Sequence, residues 1–385
     1  MINETRNIIS LGYGRHLFKE GNAERVRMEI CAKEVDSLHM VIFTSARDGL
    51  SVTNGVFGLT LYPTNSRLKL LMPLDAFLIG RRIIKNQKRD ILITAQDPFE
   101  PGLVGLFLKY LYQVPLVVQE HGDVLSTTYW RDESLGNFVR SFLGIFVVKK
   151  ADLVRVVSNR TKKAFASKGI KNITQLPVAI DTSSFTTATP DASVRPLFEE
   201  GSFIFLTVAR FVPQKNLLLL LRSFKAVYKD NKHVRLLIVG SGQEETELKE
   251  FIETMFIVGT DEVPVLILPW TNNVASMMKA ADAYVLTSNY EGWARVLIEA
   301  MVCGLPIVTT DVGCAGEVVI DATHGLVVPV GDEPKLTEAM LVIVRDIILR
   351  TALLKNLQKL KISEITGTDI AGYGARWVRS LRSNF

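Results

Sequence analysis

The sequence has few of the residues that build disulfide frameworks or metal sites. Its 385 residues include only three cysteines (Cys31, Cys303 and Cys314) and five histidines, and no Cys-x-x-Cys spacing occurs. A small, odd number of cysteines without that spacing predicts neither a disulfide frame nor a zinc site. It is typical of a protein that works in a reducing compartment.

Long apolar runs are missing as well. No uninterrupted apolar stretch approaches the roughly 18 residues that a membrane-spanning helix needs, and the charged N-terminus, MINETRNIIS, lacks the apolar region of a secretory signal. We therefore expect a cytoplasmic protein. With 48% apolar and 22% charged residues, the chain has the composition of a globular enzyme rather than a disordered protein.

Positive charge is distributed unevenly. Residues 1–190 contain 25 Lys and Arg against 17 Asp and Glu, whereas the rest contains 20 against 23. Such an excess attracts nucleic acid, anionic lipid or a phosphorylated substrate, or simply keeps the surface soluble. In residues 77–89 and 138–150, basic residues adjoin bulky apolar ones, as in a helix lying on a membrane. A buried helix with a solvated rim would show the same pattern.

Short β-rich runs alternate with helical periodicity along the whole chain. This order predicts parallel sheets built from βαβ units, and the length predicts two domains. Residues 181–202, rich in Ser, Thr, Ala and Pro, have no apolar period and suggest the connection. We expect one domain over 1–190, to which 370–385 return, and a second over 198–368.

Two cations stand at a predicted strand-to-helix junction. In FLTVARFVPQKNLLLL (205–220) a strand ends at Arg210, and Lys215 lies at the start of the next helix. The amide end of a helix favours anions in the same direction, so the segment predicts a diphosphate site. Surface cations on a loop are the alternative.

The segment 288–319, SNYEGWARVLIEAMVCGLPIVTTDVGCAGEVV, is the most informative. Glu291 precedes Gly292 where the chain turns into a helix, and a carboxylate there can accept hydrogen bonds from sugar hydroxyls. Glu299 lies inside that helix, where a carboxylate can hold the two hydroxyls of a ribose. A Glu-x7-Glu spacing alone is weak evidence, because helices carry glutamate pairs at every spacing.

With its context, this segment resembles the signature of the family 4 glycosyltransferases, E-G-[FW]-x-x-x-x-x-E-A-M-x-x-G-x-P-V. The resemblance implies the GT-B fold, in which two Rossmann-like, doubly wound parallel-sheet domains face a central cleft. It also implies that Arg210 and Lys215 neutralise the departing diphosphate, that Glu291 contacts the transferred sugar and that Glu299 holds ribose. The other donor-binding positions that it implies are Leu268 in the loop framing the base, and Gly292, Trp293, Ala294, Val296 and Leu297.

Weaker correspondences lie in QDPFEPGLVG (96–105), QEHGDVLS (119–126) and LPVAIDTSSF (176–185). The resemblance aligns His121 with a histidine that faces the donor sugar, whereas a loop or core histidine is the plain alternative. The chain departs from the family at Lys215-Asn216, where Lys-Gly is usual, and at its first loop, where no Gly-Gly pair occurs.

The activity implied is a retaining transfer of a hexose from a UDP- or GDP-sugar to a saccharide or a lipid-diphosphate-linked saccharide, in surface polysaccharide or glycolipid synthesis. No Asp-x-Asp, the metal-holding arrangement of single-lobe glycosyltransferases, occurs in the sequence. We therefore expect catalysis without a metal or other cofactor, by His121, Glu291, Arg210 and Lys215. We expect no nucleic acid partner, and possible contact with the anionic inner face of a membrane.

Two other functions share this pattern. A nicotinamide-dependent oxidoreductase would need G-x-G-x-x-G, but Leu17 and Glu245 occupy the third glycine position of the two partial matches. A non-catalytic nucleotide-sugar or membrane-lipid binding protein could keep the same fold. The four charged donor residues at 210, 215, 291 and 299 argue for the enzyme.

Overall fold

The protein is described from a computed structural model, which places residues 7–87, 90–257, 263–360, 370 and 372–383. The chain divides into two compact units, one of residues 1–179 with 368–385, the other of residues 180–367. The division falls before the Ser- and Thr-rich connection suggested by the sequence. The reason is local, because the short helix Ser183–Thr187 packs on helices of the second unit.

The first unit is an α/β sandwich around an eight-stranded sheet, counted over the described residues. Its strands are β1 (Asn7–Gly12), β2 (Ser37–Ile42), β3 (Thr53–Asn54), β4 (Leu59–Pro63), β5 (Ile91–Ala95), β6 (Leu116–Glu120), β7 (Leu153–Val156) and β8 (Ile173–Gln175). The helices are α1 (Ala23–Ala32), α2 (Met72–Gln87), α3 (Glu100–Tyr112), α4 (Tyr129–Asp132), α5 (Leu135–Lys150) and α6 (Asn159–Ser167), with the C-terminal helix Tyr373–Arg382.

The strand order of this sheet is β3-β4-β2-β1-β5-β6-β7-β8, parallel except for the short edge strand β3. Every residue of β5 and β6 is buried, as expected for strands covered on both faces. The C-terminal helix packs on α1, and its Trp377 is 1% exposed within the core of this unit. Residues 371, 384 and 385 of the predicted C-terminal return lie outside the described part.

The second unit is built in the same way on six parallel strands of the described chain, ordered β11-β10-β9-β12-β13-β14. They are β9 (Phe203–Arg210), β10 (Val234–Ser241), β11 (Val265–Leu268), β12 (Ala283–Leu286), β13 (Ile307–Thr310) and β14 (Gly325–Val328). The helices are α7 (Ser183–Thr187), α8 (Leu217–Asp230), α9 (Glu245–Ile252), α10 (Val274–Ala280), α11 (Arg295–Val302), α12 (Glu333–Arg345) and α13 (Ile347–Lys359).

Two parallel-sheet α/β domains are what the sequence predicted, and the structure confirms them. In each sheet the strand order reverses beside the first strand: β1 lies between β2 and β5, and β9 lies between β10 and β12. Ligands of doubly wound sheets bind at the carboxyl ends of the strands next to such a reversal. The loops after β9 and β12, and those after β1 and β5, are therefore the places to look for a site.

The three cysteines are free and buried. None of the described helices combines the length and the apolar character that a membrane crossing requires.

Candidate functional site

The first loop of the site follows β9. Arg210 is the last residue of this strand and is exposed, and its guanidinium donates to Oε1 of Gln214 at 3.4 Å. A short 3-10 helix, Pro213–Lys215, follows and ends just before α8. The Lys215 side chain is only 14% exposed there. The two predicted cations thus lie on one loop, one in solvent and one mostly buried.

The structure explains why Asn is accepted at position 216, where the family usually has Gly. The Asn216 backbone is left-handed, with φ +46°, a conformation that glycine adopts freely and that Asn tolerates better than most residues. Its side-chain oxygen accepts from the N–H of Leu219 at 3.3 Å and caps α8, while its amide donates to Asn289 at 2.9 Å. Asn therefore preserves the turn and adds a contact to the next loop.

The second loop follows β12 and carries Glu291. Nζ of Lys215 donates to Oε1 of Glu291, and the Ser288 hydroxyl donates to the same oxygen at 2.8 Å. The Glu291 side chain is 11% exposed, so this is a largely desolvated ion pair. The structure thus brings together two of the predicted residues, from segments 76 positions apart.

Further hydrogen bonds hold the two loops together. The Gln214 amide donates to the Tyr290 carbonyl at 2.9 Å, and the Asn289 N–H donates to the Gln214 carbonyl at 2.8 Å. Thr287 donates to the carbonyl of Lys215 at 2.9 Å. Sequence reasoning missed these residues, although their positions directly after β9 and β12 were a usable signal.

The chain reaches α11 through Gly292, Trp293 and Ala294, all buried. Ala294 caps the helix in a left-handed conformation with φ +55°. The loop after β13 lies against this turn, since a Cβ built on Gly313 would be 2.8 Å from the Ala294 Cβ. The indole Nε1 of Trp293 is buried, and among the described residues none accepts its hydrogen bond.

Helix α11 points its amide end into the same region. The Leu297 N–H already donates to the Ala294 carbonyl at 3.0 Å, and the Leu297 side chain is fully buried. Val296 is half-buried beside it. The first N–H groups of a helix have no partner within the helix and carry partial positive charge, so this end favours an anion.

Glu299 lies on the second turn of α11. Its carboxylate is 3.7 Å from a guanidinium nitrogen of Arg295, and its side chain is 16% exposed. Burial raises the pKa of Glu299 above its usual value, and the Arg295 charge acts in the opposite direction. Within the described residues, Glu299 makes no hydrogen bond or ion pair with Lys215 or Glu291, so the two glutamates occupy separate positions.

Leu268 ends β11, the edge strand next to β10, and is half-buried. The loop that it begins contains Trp270, whose side chain is 56% exposed. The loop therefore lies at the carboxyl edge of the sheet and presents a large aromatic surface.

In the first unit, His121 follows β6 directly. Its Nε2 lies 3.3 Å from Oε1 of Gln96, which follows β5, and the Gln96 amide donates to Ser10 of β1 at 2.8 Å. Burial, and then the charges of Arg155 and Arg27, lower the pKa of His121 to about 3. The imidazole is therefore neutral at neutral pH, and its Nε2–H donates to Gln96.

The backbone that carries His121 is held by its neighbour. The buried Glu120 carboxylate accepts from the N–H groups of Gly122, Asp123 and Val124 at 2.9, 3.0 and 3.3 Å. Burial and the nearby Asp123 nevertheless raise the pKa of Glu120 to about 7. Sequence reasoning missed Gln96 and Glu120, although both lie at strand ends within segments that it had singled out.

The second unit thus offers cations, helix amides and two carboxylates at the carboxyl edge of one sheet. Such a set can bind a phosphorylated group and the hydroxyls of a sugar. Within the part of the chain that the structure describes, no three His, Cys, Asp or Glu side chains are grouped as metal ligands would be.

Two family models match consecutive parts of the chain. Residues 190–360 match "Glycosyl transferases group 1", and residues 31–184 match "Glycosyltransferase Family 4". The Escherichia coli UDP-Gal:alpha-D-GlcNAc-diphosphoundecaprenol alpha-1,3-galactosyltransferase is 25% identical over 297 residues, which cover 74% of this chain and 75% of that protein.

A second relative is a Campylobacter jejuni enzyme, N-acetylgalactosamine-N,N'-diacetylbacillosaminyl-diphospho-undecaprenol 4-alpha-N-acetylgalactosaminyltransferase. It is 28% identical, with 70% of this chain and 72% of that protein covered. The crystal structure of Anabaena HepE in complex with UDP and glucose is similar in fold, with a TM-score of 0.71, 20% identity, and coverage of 98% of this chain and 100% of that one. The matched models, the relatives and the fold agree, and the chain belongs to the family 4, or group 1, glycosyltransferases.

Proposed function

We propose that the chain transfers a hexose, with retention of configuration, from a UDP- or GDP-sugar to a saccharide or a lipid-diphosphate-linked saccharide. The observation that supports this most directly is the Lys215–Glu291 pair at the carboxyl edge of the sheet, beside the strand-order reversal. In this pair, a cation that can bind a phosphate lies beside a carboxylate that can accept a hydrogen bond from a sugar hydroxyl.

In this proposal the charge of the departing diphosphate is met by the chain itself. Lys215 and the first amides of α11 are fixed before the donor binds, because the surrounding hydrogen bonds hold both loops. Arg210 is exposed on the same loop as Lys215 and contacts the diphosphate from the solvent side in this proposal. Preorganised donors aimed at developing charge are the largest source of rate enhancement in many enzymes, and no metal or other cofactor is needed for them to act.

The two carboxylates have different tasks in the proposal. Glu291 accepts a hydrogen bond from a hydroxyl of the transferred sugar. Lys215 keeps its bond to Glu291 and also donates to the diphosphate, since a single ammonium group provides three donors. Glu299 holds the ribose hydroxyls, and Arg295 at 3.7 Å keeps its charge compensated. The peptide groups of Gly292, Trp293 and Ala294 lie between the two glutamates in the sequence and face the sugar and the phosphates in this proposal. Leu268 begins the loop that frames the base.

We assign His121 a neutral role. With its pKa lowered to about 3, the imidazole hydrogen-bonds a hydroxyl of the donor sugar and contributes no formal charge to the transition state. Gln96 fixes the ring by accepting from Nε2, which leaves the opposite ring nitrogen as an acceptor for the sugar.

The names of the relatives support the choice of substrates. Two of them act on diphosphoundecaprenol-linked saccharides, and HepE binds UDP. A Corynebacterium glutamicum relative that is 29% identical is a GDP-mannose-dependent mannosyltransferase, so GDP stays in the proposal. Surface polysaccharide or glycolipid synthesis on the cytoplasmic, inner face of a membrane follows from such an acceptor, with no role for nucleic acid.

The test is donor turnover by purified protein. We expect hydrolysis or transfer with one UDP- or GDP-sugar in a panel, undiminished by EDTA, and a product whose anomeric configuration by NMR equals that of the donor. Arg210→Ala and Lys215→Ala should each lower kcat by about two to three orders of magnitude, comparable to losing one oxyanion donor. Lys229→Ala, at an exposed lysine of α8, is the control.

Two results would count against the proposal. Turnover that depends on added Mg²⁺ or Mn²⁺ would remove the metal-free mechanism. Full activity in Arg210→Ala or Lys215→Ala would remove these cations from the reaction, whatever the donor turned out to be.

A further inference from the structure

Three neighbouring helices of the first unit turn apolar side chains to solvent. Helix α2 packs on α3, and α3 packs on α5. Their exposed apolar and aromatic residues, which we call the apolar face, are Leu74 and Leu78 of α2, Phe107, Tyr110 and Leu111 of α3, and Leu135, Phe138, Val139, Phe142 and Phe146 of α5. The apolar face is formed by three helices that are far apart in sequence and pack side by side.

The residues of the apolar face expose large fractions of their surface to solvent. Leu135, Phe142 and Phe107 are 80%, 63% and 60% exposed, respectively. Helices α8 and α12, which cover the other sheet, provide the internal comparison. Their exposed residues are almost entirely polar: Arg222, Lys225, Ala226, Lys229 and Asp230 on α8, and Pro334, Lys335, Glu338 and Arg345 on α12. Large apolar side chains exposed together on packed helices are typical of an interaction site.

Each of the two outer helices continues its apolar stripe into a basic end. On α2, Leu74 and Leu78 are followed at helical spacing by Arg81, Arg82 and Lys85, and on α5 the stripe ends at Lys149 and Lys150. All of these cations are exposed, and no exposed residue of α2, α3 or α5 is Asp or Glu among the residues described there. Lys88 and Arg89, which follow α2, lie outside the described residues.

Acidic residues do occur in the adjoining loops. Asp132, for example, is exposed just before α5, where it pairs with Arg131 at 2.8 Å. The charge that is specific to the apolar face is therefore positive, and it is concentrated at one end of two helices. This combination of bulky apolar side chains with Lys and Arg beside them is the pattern of a surface that lies in a lipid interface.

We propose that the apolar face docks the first unit onto an anionic lipid surface. The aromatic and leucine side chains would enter the headgroup boundary, while the cations at the helix ends contact lipid phosphates. A second copy of the chain fits less well, because the described residues of α2, α3 and α5 include no exposed Asp or Glu that could pair with the five cations of the other copy. The proposal rests on the lipid-linked acceptor of the proposed function, which a membrane-docked enzyme reaches directly.

Vesicle flotation of the full chain tests it. We expect the protein to float with vesicles of phosphatidylglycerol and phosphatidylcholine and to stay behind with phosphatidylcholine alone. The double variant F142S/F146S should bind the anionic vesicles at least about tenfold more weakly, because two interfacial side chains are lost. The double variant R81E/R82E should lose most of its binding to anionic vesicles at low salt, and the binding that remains should depend little on the salt concentration.

The matched control is I347S/I348S, at two isoleucines of α13 that are 63% and 82% exposed but belong to the second unit. This variant should float like the unchanged protein. UDP and GDP binding, measured on the same samples, should be equal in all variants. If the unchanged protein bound neither UDP nor GDP, the proposed function would be refuted, whereas the flotation result would still test the docking proposal.

Three outcomes would overturn the docking proposal. One is failure of the unchanged protein to float with anionic vesicles while it still binds nucleotide. Another is equal flotation of F142S/F146S and I347S/I348S. The third is a dimer, seen by light scattering, that dissociates in F142S/F146S without any vesicle binding, which would assign the face to a second copy of the chain.

Discussion

The buried pair of Lys215 and Glu291 makes a quantitative prediction that is independent of any activity assay. The two side chains are 14% and 11% exposed, so solvent screens their interaction weakly. Removing one partner of a buried pair leaves an unpaired charge and costs about 3–5 kcal/mol. Because Ser288 still donates to Glu291, we expect the low end, about 3 kcal/mol, for Lys215→Met, and a similar cost for Glu291→Gln.

The double variant should lose less free energy of unfolding than the two single variants lose together. With neither charge present, no uncompensated group remains, so the coupling free energy should be about 2–3 kcal/mol. Urea unfolding followed by tryptophan fluorescence measures it, and hydrogen–deuterium exchange of β9 peptides assigns the transition to the second unit, since two-domain chains need not unfold in one step.

An exposed pair of the same unit provides the control. Arg222 and Glu333 lie 2.8 Å apart, but both side chains are 43% exposed. Screening there should reduce the coupling to below about 1 kcal/mol. If the cycle at Lys215 and Glu291 gave a coupling as small as that at Arg222 and Glu333, the argument that burial makes this pair a preorganised part of the site would be wrong.

Two further predictions concern the backbone and the imidazole. Gly313→Ala should cost about 2–4 kcal/mol in chemical unfolding, because its φ is +57° and the new Cβ would meet Ala294, whereas Gly316→Ala, at φ +78° with no neighbour within 4 Å, should cost only about 1–2 kcal/mol; equal losses would contradict the packing argument. NMR of labelled histidines should show the His121 imidazole neutral from pH 8 down to about pH 5, since its pKa is lowered to about 3. As the pH falls below 6.5, the ordinary pKa of histidine, the unfolded chain binds a proton at His121 and the folded chain does not, so the free energy of unfolding decreases. A resonance that titrates near that value and disappears in His121→Gln would contradict the prediction.

Much of the fold could be predicted from the sequence because doubly wound sheets have a repetitive signature. Strands such as β5 and β6 are buried on both faces, so their runs are continuously apolar and stand out between helices. The position of functional side chains after strand ends follows from the same rule. Arg210 was selected in this way, whereas Glu291 was selected from the helix start and the family signature, and His121 from the resemblance alone.

The connection between the units was harder to place, for a physical reason. Residues 183–187 have the composition of a linker, yet they form α7, whose Phe185 carbonyl lies 3.9 Å from Cys303 Sγ of the second unit. A five-residue helix has too short an apolar period to be recognised. What fixes it is packing on α10 and α11, and such contacts are not visible in local sequence.

The contacts that set the properties of the site were also beyond the sequence, because each partner comes from a distant segment. Nothing within ten residues of His121 suggests a lowered pKa; the cause is burial together with Arg155 of β7 and Arg27 of α1. Arg155 itself is 1% exposed and donates to the Leu176 carbonyl at 3.0 Å and to the Tyr373 hydroxyl at 3.1 Å. The sequence identified His121 with two alternative roles, and the residues that lower its pKa are brought to it only by the folded arrangement.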